Sequence, residues 1–339
     1  MKVSYKTFEL PFKYPFTISK GTKTKQPTFV VELEYFGYRG YGEAPAISYY
    51  NIPVAKMAAD LELKKQLVEK FSFSDPERYW HYLHHLFPNN SFLVCALDMA
   101  GWDLYGKMKK QPLRSLWKLD SAQSPVTDYT IGIDTVEMMI KKIKEQPWPV
   151  YKIKVGMEND METVAELRKH TDAVFRVDAN AAWDLETALQ KIPMLEAMGV
   201  EFVEQPLAKD DWEGMKILFE KSPLPLFADE SCVQEADVAK CEGCFHGINI
   251  KLTKCGGITP ARRMIGNARK LNMRVMIGCM NESSIGTAAI AQLAPLLDYV
   301  DMDGTLLLTE DTALGMGFND GKIIYNDLPG LGVTVEPFI

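Results

Sequence analysis

No run of about 18 apolar residues occurs in the sequence, so no segment is built to cross a bilayer as a helix. Residues Met1–Leu10 mix Lys2, Lys6 and Glu9 into a strand-like alternation instead of a secretory core. No membrane partner is therefore expected, and the cytoplasm is the expected location. Positive charge is also short: the formal net charge is −7, whereas gripping a phosphate backbone needs clustered Lys and Arg. Nucleic acid is not an expected partner. Cysteines number only six, with a single CxxC pair at Cys241 and Cys244 and no second pair at finger-like spacing. They read as small buried hydrophobes. Histidine is scarcer still, at five. His81, His84 and His85 fall at helical spacing and His246 precedes a strand candidate, so a nitrogen-rich zinc or iron centre is disfavoured. Gly256-Gly257 lacks the GxxxxGK or GxGxxG spacing of a phosphate cradle and reads as a plain turn into a helix.

What is present is an ordinary globular composition, 47% hydrophobic and 24% charged over 339 residues, enough for a proper core. That length holds a barrel of roughly 200 to 250 residues plus a smaller domain. Near the start, Val30, Glu32, Leu33 and Tyr35 lead to Gly37-Tyr38-Arg39-Gly40, which predicts a hairpin turn into Tyr41–Ala44. From Val54 the period becomes helical, with a helix start at Ser74 or Asp75 before Pro76. A long apolar helix over Ser91–Met108 follows, ended by Gln111-Pro112. Polar, turn-rich Lys118–Pro125 predicts a boundary near residue 120, giving a first domain of strands and helices over 1–120.

Beyond it, short apolar strand candidates recur: Asp128–Ile131, Tyr151–Val155, Phe175–Val177, Phe202–Val203, Leu224–Phe227, Ile248–Ile250, Arg274–Ile277 and Tyr299–Met302. Helical patterns such as Met161–His170, Leu185–Met198 and Ile258–Leu271 separate them. Repetition of strand, loop and helix over 121–310 favours a closed parallel barrel over an open sheet. The segment 311–339, with alternating Val333 and Val335, is expected to pack back on the first domain.

In such a barrel the carboxyl ends of the strands meet at one face. There stand Thr130, Lys152 and Lys154, Asp178 and Asn180, Glu204, Asp229 and Glu230, Lys251, Cys279 and Met280, and Asp301 and Asp303. Lys154, Asp178, Glu204, Asp229 and Lys251 follow one another at 24, 26, 25 and 22 residues, one strand–helix unit per step. Asp178, Glu204 and Asp229 would form a hard oxygen site whose bare anions repel one another. A dication, best Mg²⁺ with further oxygens completing its octahedron, resolves that repulsion. Lys154 and Lys251, from the second and sixth strands, flank the site and can address opposite faces of one substrate. Burial beside Mg²⁺ and Lys152 is expected to lower a lysine from its ordinary value of about 10.4. Removing a proton next to a carboxylate creates an enediolate, which a dication stabilises while lysines move protons. Any one acid–lysine pair could be a rim salt bridge, but five such residues in constant phase are not explained that way. Nor would a barrel that merely binds a peptide or anion need both lysines and all three carboxylates.

The same residues carry a resemblance. Lys152-Ile153-Lys154, Asp178-Ala179-Asn180, Glu204-Gln205-Pro206, Ala228-Asp229-Glu230-Ser231 and Lys251 resemble, in order and over nearly the whole chain, the muconate-lactonizing subgroup of the enolase superfamily. Sites of that superfamily are known for a Lys or His base working with Mg²⁺. The resemblance implies an α/β fold, a TIM-type (β/α)7β barrel with an N-terminal α+β capping domain whose loop near 16–26 sets specificity. It implies one Mg²⁺ per subunit on Asp178, Glu204 and Asp229, with Lys154 and Lys251 as the acid/base pair. Asp301-Met302-Asp303 resembles the DxD of dipeptide epimerases, in which two carboxylates suit a free α-ammonium. A solvated turn pair is the plain alternative there. The implied activity is an isomerase that epimerises dipeptides at the Cα of the C-terminal residue, contacted by Thr130, Lys152, Cys279, Met280, Asn281, Asp301 and Asp303. The loop Thr17–Lys25 has no arginine for bidentate capture of a glutamyl group. With Ile18, Cys279 and Met280 as liners, the expectation leans to alanine-containing dipeptides with small or apolar partners. Other reactions on this scaffold are muconate cycloisomerisation, N-acylamino acid racemisation and o-succinylbenzoate synthesis. A homo-oligomer is compatible with all of them.

Overall fold

The computed structural model describes residues 1–336 and 338. Strands β1 (Lys2–Ile18), β2 (Gly21–Tyr35) and β3 (Tyr38–Pro45) form an antiparallel meander, followed by helices α1 (Val54–Lys70), α2 (Pro76–Leu86) and α3 (Ser91–Lys109). Asp75 caps α2 by accepting a hydrogen bond from Arg78 N, with Pro76 opening the helix. The β2–β3 turn falls at Phe36-Gly37, because Tyr38 already pairs with Tyr35, two residues ahead of the turn expected through Gly40. Gly40 and Gly42 serve packing instead. A Cβ on them would lie 2.2 and 2.0 Å from the carbonyl oxygens of Ala100 and Ala96, so only glycine lets α3 press on β3. Helix α3 is buried nearly all round because the cap sheet covers one side and barrel helices the other.

Helix α4 (Leu113–Leu116) leads to eight parallel strands: β4 (Tyr129–Ile131), β5 (Val150–Lys154), β6 (Val174–Asp178), β7 (Val200–Glu204), β8 (Leu226–Ala228), β9 (Gly247–Ile250), β10 (Arg274–Gly278) and β11 (Tyr299–Asp301). They pair in chain order, and a bridge between Thr127 and Val300 closes the ring. Outside lie α5 (Val136–Glu145), α6 (Asp160–Arg168), α7 (Leu185–Ala197), α8 (Trp212–Lys221), α9 (Leu252–Cys255), α10 (Ile258–Lys270), α11 (Ser284–Leu293) and α12 (Gly304–Leu307). Between β8 and β9 the outer element is a 3-10 stretch, Glu235–Cys241. This is the expected TIM-type barrel beneath an antiparallel cap.

Alternate side chains of each strand point into the bore. One layer is aromatic and apolar, Phe202, Phe227 and Met276 against Tyr299, with the Arg176 guanidinium over Phe202 and Tyr299. Two residues further along the same strands the layer becomes ionic, with Asp178, Glu204 and Asp301. The seam between cap and barrel is held by buried cap carboxylates. Glu43 accepts from Ser283 N and Gly286 N, each at 3.0 Å, at the start of α11. Asp98 accepts from Thr259 N at 3.0 Å and Thr259 Oγ1 at 2.7 Å at the start of α10. Helix N-termini offer unpaired N–H groups that need acceptors, so these carboxyl oxygens dock there. Gly257 (φ +124°) completes the fit, since a Cβ would stand 2.3 Å from Asp98 Oδ2.

The carboxy-terminal segment adds a hairpin, β12 (Gly317–Asn319) and β13 (Lys322–Ile324). Leu331 N donates to Asp103 of the cap, and Phe338 N to Glu32. Residues 337 and 339 of that segment lie outside the described residues. The expected loop at 16–26 is the tip of the β1–β2 hairpin, with Phe16 opposite Lys23, Thr17 opposite Thr22 and Ile18 opposite Gly21. It lies across the barrel mouth, where Ile133 N donates to Thr17 O at 2.9 Å. Among the described residues no helix is long and apolar enough to cross a membrane.

Candidate active site

A cavity of about 190 Å³ lies between the hairpin tip and the carboxyl ends of the strands, below the roughly 300 to 1,000 Å³ common for drug-sized ligands. Thr130, Lys152, Lys154, Asp229 and Lys251 line it, as do Cys279, Met280, Asn281, Asp301 and Asp303. Asp178 and Glu204 stand behind the lysines of that wall. Lys154 Nζ donates to Asp178 Oδ2 at 2.6 Å, and Lys152 Nζ lies 3.2 Å from the same oxygen and 2.8 Å from Glu204 Oε2. Asp229 is held on both oxygens, Oδ2 by Lys251 Nζ at 2.7 Å and Oδ1 by Lys254 Nζ at 2.6 Å.

These contacts set the charges. Burial is the largest influence on Asp178 and Asp229 and pushes both up. Lys154 and Lys152 for the first, and Lys251 and Lys254 for the second, more than reverse it, so both carboxyls sit well below the usual range. Glu204 goes the other way, pushed up to about 7 by burial and then by Asp178, with Lys152 compensating only in part. Glu204 is thus the least compensated of the three carboxylates. Their all-oxygen donor set suits a hard dication such as Mg²⁺.

A second group of possible ligands is Cys279, Asp301 and Asp303, whose donor atoms lie within 4.8 Å of one another. Burial, then Asp301 and Asp303, holds the Cys279 thiol well above its ordinary value, so it stays protonated and is a poor metal ligand. Lys152 Nζ already donates to Asp301 Oδ2 at 2.8 Å, and Asp303 Oδ2 accepts from Thr130 N at 2.6 Å. Asp303 is pushed up to about 7 by burial and then by Asp301. Two carboxyls beside each other at a cavity wall, with Asp303 held by Thr130 N and the Cys279 thiol and not by an ammonium, suit a cationic guest.

While Asp229 is paired only with ammoniums, Lys251 sits well above its ordinary value, a balance that a dication on Asp229 would change. Burial acts downward as the largest influence and Lys152 adds to it, as anticipated, but the Asp229 carboxylate outweighs both.

Residues 134–339 match the family model "Enolase C-terminal domain-like", and residues 2–117 match "Mandelate racemase / muconate lactonizing enzyme, N-terminal domain". The chain belongs to this family. The L-Ala-D/L-amino acid epimerase of Flavobacterium johnsoniae is 49% identical over 335 residues, covering 99% of this chain and 100% of that protein. The L-Ala-D/L-Glu epimerase of Bacteroides thetaiotaomicron is 40% identical, covering 98% of this chain and 88% of that one. Among solved structures, a dipeptide epimerase from Cytophaga hutchinsonii complexed with Mg and D-Ala-L-Val superimposes with a TM-score of 0.93 at 26% identity, over 99% of this chain and 96% of that one.

In this enolase-superfamily chain several site residues escaped the sequence reading. Lys254 Nζ also donates to the carbonyls of Asp229 and Cys232. Its position one helical turn after Lys251 was the available signal. Gln205, left-handed at φ 36°, accepts Asp229 N and Ser231 N on one amide oxygen, at 2.9 and 3.1 Å, and so fixes the loop that carries Asp229. Asn249 Nδ2 donates to Glu204 Oε1 at 2.8 Å, and two residues before Lys251, which continues the extended backbone just past β9, it shares the inward face. Tyr49 and Tyr50 roof the cavity from the cap, and nothing in their local sequence marked them.

Proposed function

We propose that this chain epimerises dipeptides at the Cα of the C-terminal residue, with Lys154 and Lys251 as the acid/base pair and Asp178, Glu204 and Asp229 as ligands of one Mg²⁺. The observation that carries the reading is the pair of lysines. They rise from the second and sixth of eight strands, across the bore from each other, each resting on a carboxylate of the ligand set. Mg²⁺ bound there supplies a Lewis acid that disperses negative charge on the substrate carboxylate as the Cα proton leaves.

Lys154 in its neutral form takes the proton from one face of Cα, and the Lys251 ammonium delivers one from the other. In the reverse direction the two exchange roles. Lys152, enclosed by Asp178, Glu204 and Asp301, keeps a fixed positive charge at the centre of the mouth, where negative charge grows in the transition state. Asp301 and Asp303 receive the free α-ammonium of the first residue, which fixes the register of Cα between the lysines. The hairpin tip and Tyr50 exclude water from the proton transfers.

The reading extends to alanine-containing dipeptides with small or apolar second residues, which suits a small cavity roofed by Phe16, Ile18 and Ile47. It also takes residues 1–120 as the cap, 121–310 as the barrel and 311–339 as a returning segment, with a cytoplasmic protein that has no nucleic-acid partner and is free to self-associate. The test is incubation of a dipeptide library with Mg²⁺ in D₂O, reading mass gain at Cα together with inversion. Exchange with inversion of Ala-Xaa dipeptides is expected. If no dipeptide exchanges while a muconate lactonises, the reading fails.

A further inference from the structure

Within that reading, the substrate carboxylate, the ammonium and Cα occupy the barrel side of the cavity, so the side chain of the second residue has only the cap side left. There the hairpin tip meets the barrel at one ionic contact. Lys20 Nζ lies 2.6 Å from Glu230 Oε1 and 4.1 Å from the centroid of the Tyr49 ring. All three residues line the cavity. The pair is asymmetric: the Glu230 side chain is 5% exposed and that of Lys20 is 30%, while Glu230 Oε2 is buried without a hydrogen-bond partner. Lys23, the other hairpin cation in the wall, is engaged elsewhere, donating to Gln26 Oε1 at 3.2 Å.

We propose that the Lys20–Glu230 pair is the specificity-determining end wall of the side-chain pocket, and that by neutralising its own charge it favours uncharged second residues. A lysine or arginine side chain would have to crowd its charge against Lys20 to reach Glu230, and an acidic one would have to crowd its charge against Glu230 to reach Lys20. The two halves of the pair are unequal. Removing Lys20 strands a nearly dry carboxylate with no partner, which strongly rewards an incoming cation. Removing Glu230 leaves an ammonium that water and the Tyr49 ring still serve.

The experiment compares kcat/KM for Ala-Leu, Ala-Glu and Ala-Lys across wild type, Lys20→Met, Glu230→Gln and the reversed double variant Lys20→Glu/Glu230→Lys. Lys20→Met is expected to raise Ala-Lys relative to Ala-Leu by roughly ten-fold, the scale of one charge-assisted hydrogen bond. Glu230→Gln is expected to raise Ala-Glu relative to Ala-Leu by a smaller factor, and the reversed pair to return both ratios towards wild type. Lys20→Met lies on the hairpin and leaves the Asp229 loop intact, so it decides the matter even if Glu230 variants fold poorly. Unchanged ratios in Lys20→Met, or a shift towards Ala-Glu, overturn the inference while leaving the epimerase reading standing. Absence of turnover of any Ala-Xaa dipeptide by wild type overturns both.

Discussion

Buried carboxylates occur in two regions of this molecule, and their partners differ in kind. At the seam between cap and barrel, Glu43 and Asp98 are satisfied by backbone N–H groups and hydroxyls at the starts of α11 and α10. At the barrel mouth, Asp178, Glu204 and Asp229 are met chiefly by lysine ammoniums. Backbone donors cannot leave without unfolding a helix turn, whereas an ammonium on a four-carbon stem can swing to another partner. The seam acids therefore lock geometry, and the mouth acids hold exchangeable charge. Burial alone does not distinguish structure from chemistry; the mobility of the counter-charge does.

The largest expected effect comes from breaking the mouth. Lys154→Ala and Lys251→Ala should each abolish inversion, a loss of at least ~10²–10⁴-fold, the usual worth of a positioned acid or base, with little change in thermal unfolding because Lys152 and Lys254 still hold Asp178 and Asp229. A large fall in unfolding temperature with activity retained would make those lysines structural. Next, Asp303→Asn should reduce kcat/KM for a free dipeptide by about ten-fold or more relative to its N-acylated counterpart, because only the former brings an ammonium. Equal losses on both would remove that contact.

Breaking the seam should give the opposite signature. Glu43→Ala strands the donors Ser283 N, Gly286 N and Thr28 Oγ1 and should cost about 3 kcal/mol of stability. The refolded fraction should keep near-normal turnover, and a selective loss of turnover at unchanged stability would erase the distinction between the two regions. The smallest effect concerns pH. Asp98 is pushed up to about 7 by burial, against the hydrogen bonds from Thr259 that lower it. Folded protein therefore holds a proton there that the unfolded chain, near its ordinary value of 3.8, has released. The resulting stability is fully present below the unfolded value and is lost as pH rises through about 7. Melting temperature should thus fall slightly from pH 5 to pH 8 in wild type and by less in Asp98→Asn. Parallel pH profiles would contradict this.

The sequence made the barrel legible because each strand is a short, doubly buried apolar run bounded by turn residues, from Tyr129–Ile131 to Tyr299–Asp301. It made the mouth legible because Lys154, Asp178, Glu204, Asp229 and Lys251 fall at the same point of successive units, where a parallel barrel gathers them. The hairpin tip was harder to read. Thr17–Lys25 is polar apart from Ile18, so it looks like a loop although Thr17 and Ile18 pair with Thr22 and Gly21. Lys20 and Glu230 stand 210 residues apart, and Tyr49 joins them only through the docking of the cap. No local pattern encodes that meeting.

The account rests most on opposed lysines, and stereospecific exchange in D₂O tests it most directly. With Mg²⁺ present, Lys154→Ala and Lys251→Ala are each incubated separately with the L,L and L,D forms of one Ala-Xaa dipeptide, and deuterium at Cα is followed by mass. Each variant should exchange at most one of the two forms, the two variants should choose opposite forms, and neither should invert either one. Inversion by a single-lysine variant, or exchange of both forms by it, would contradict proton transfer from two faces.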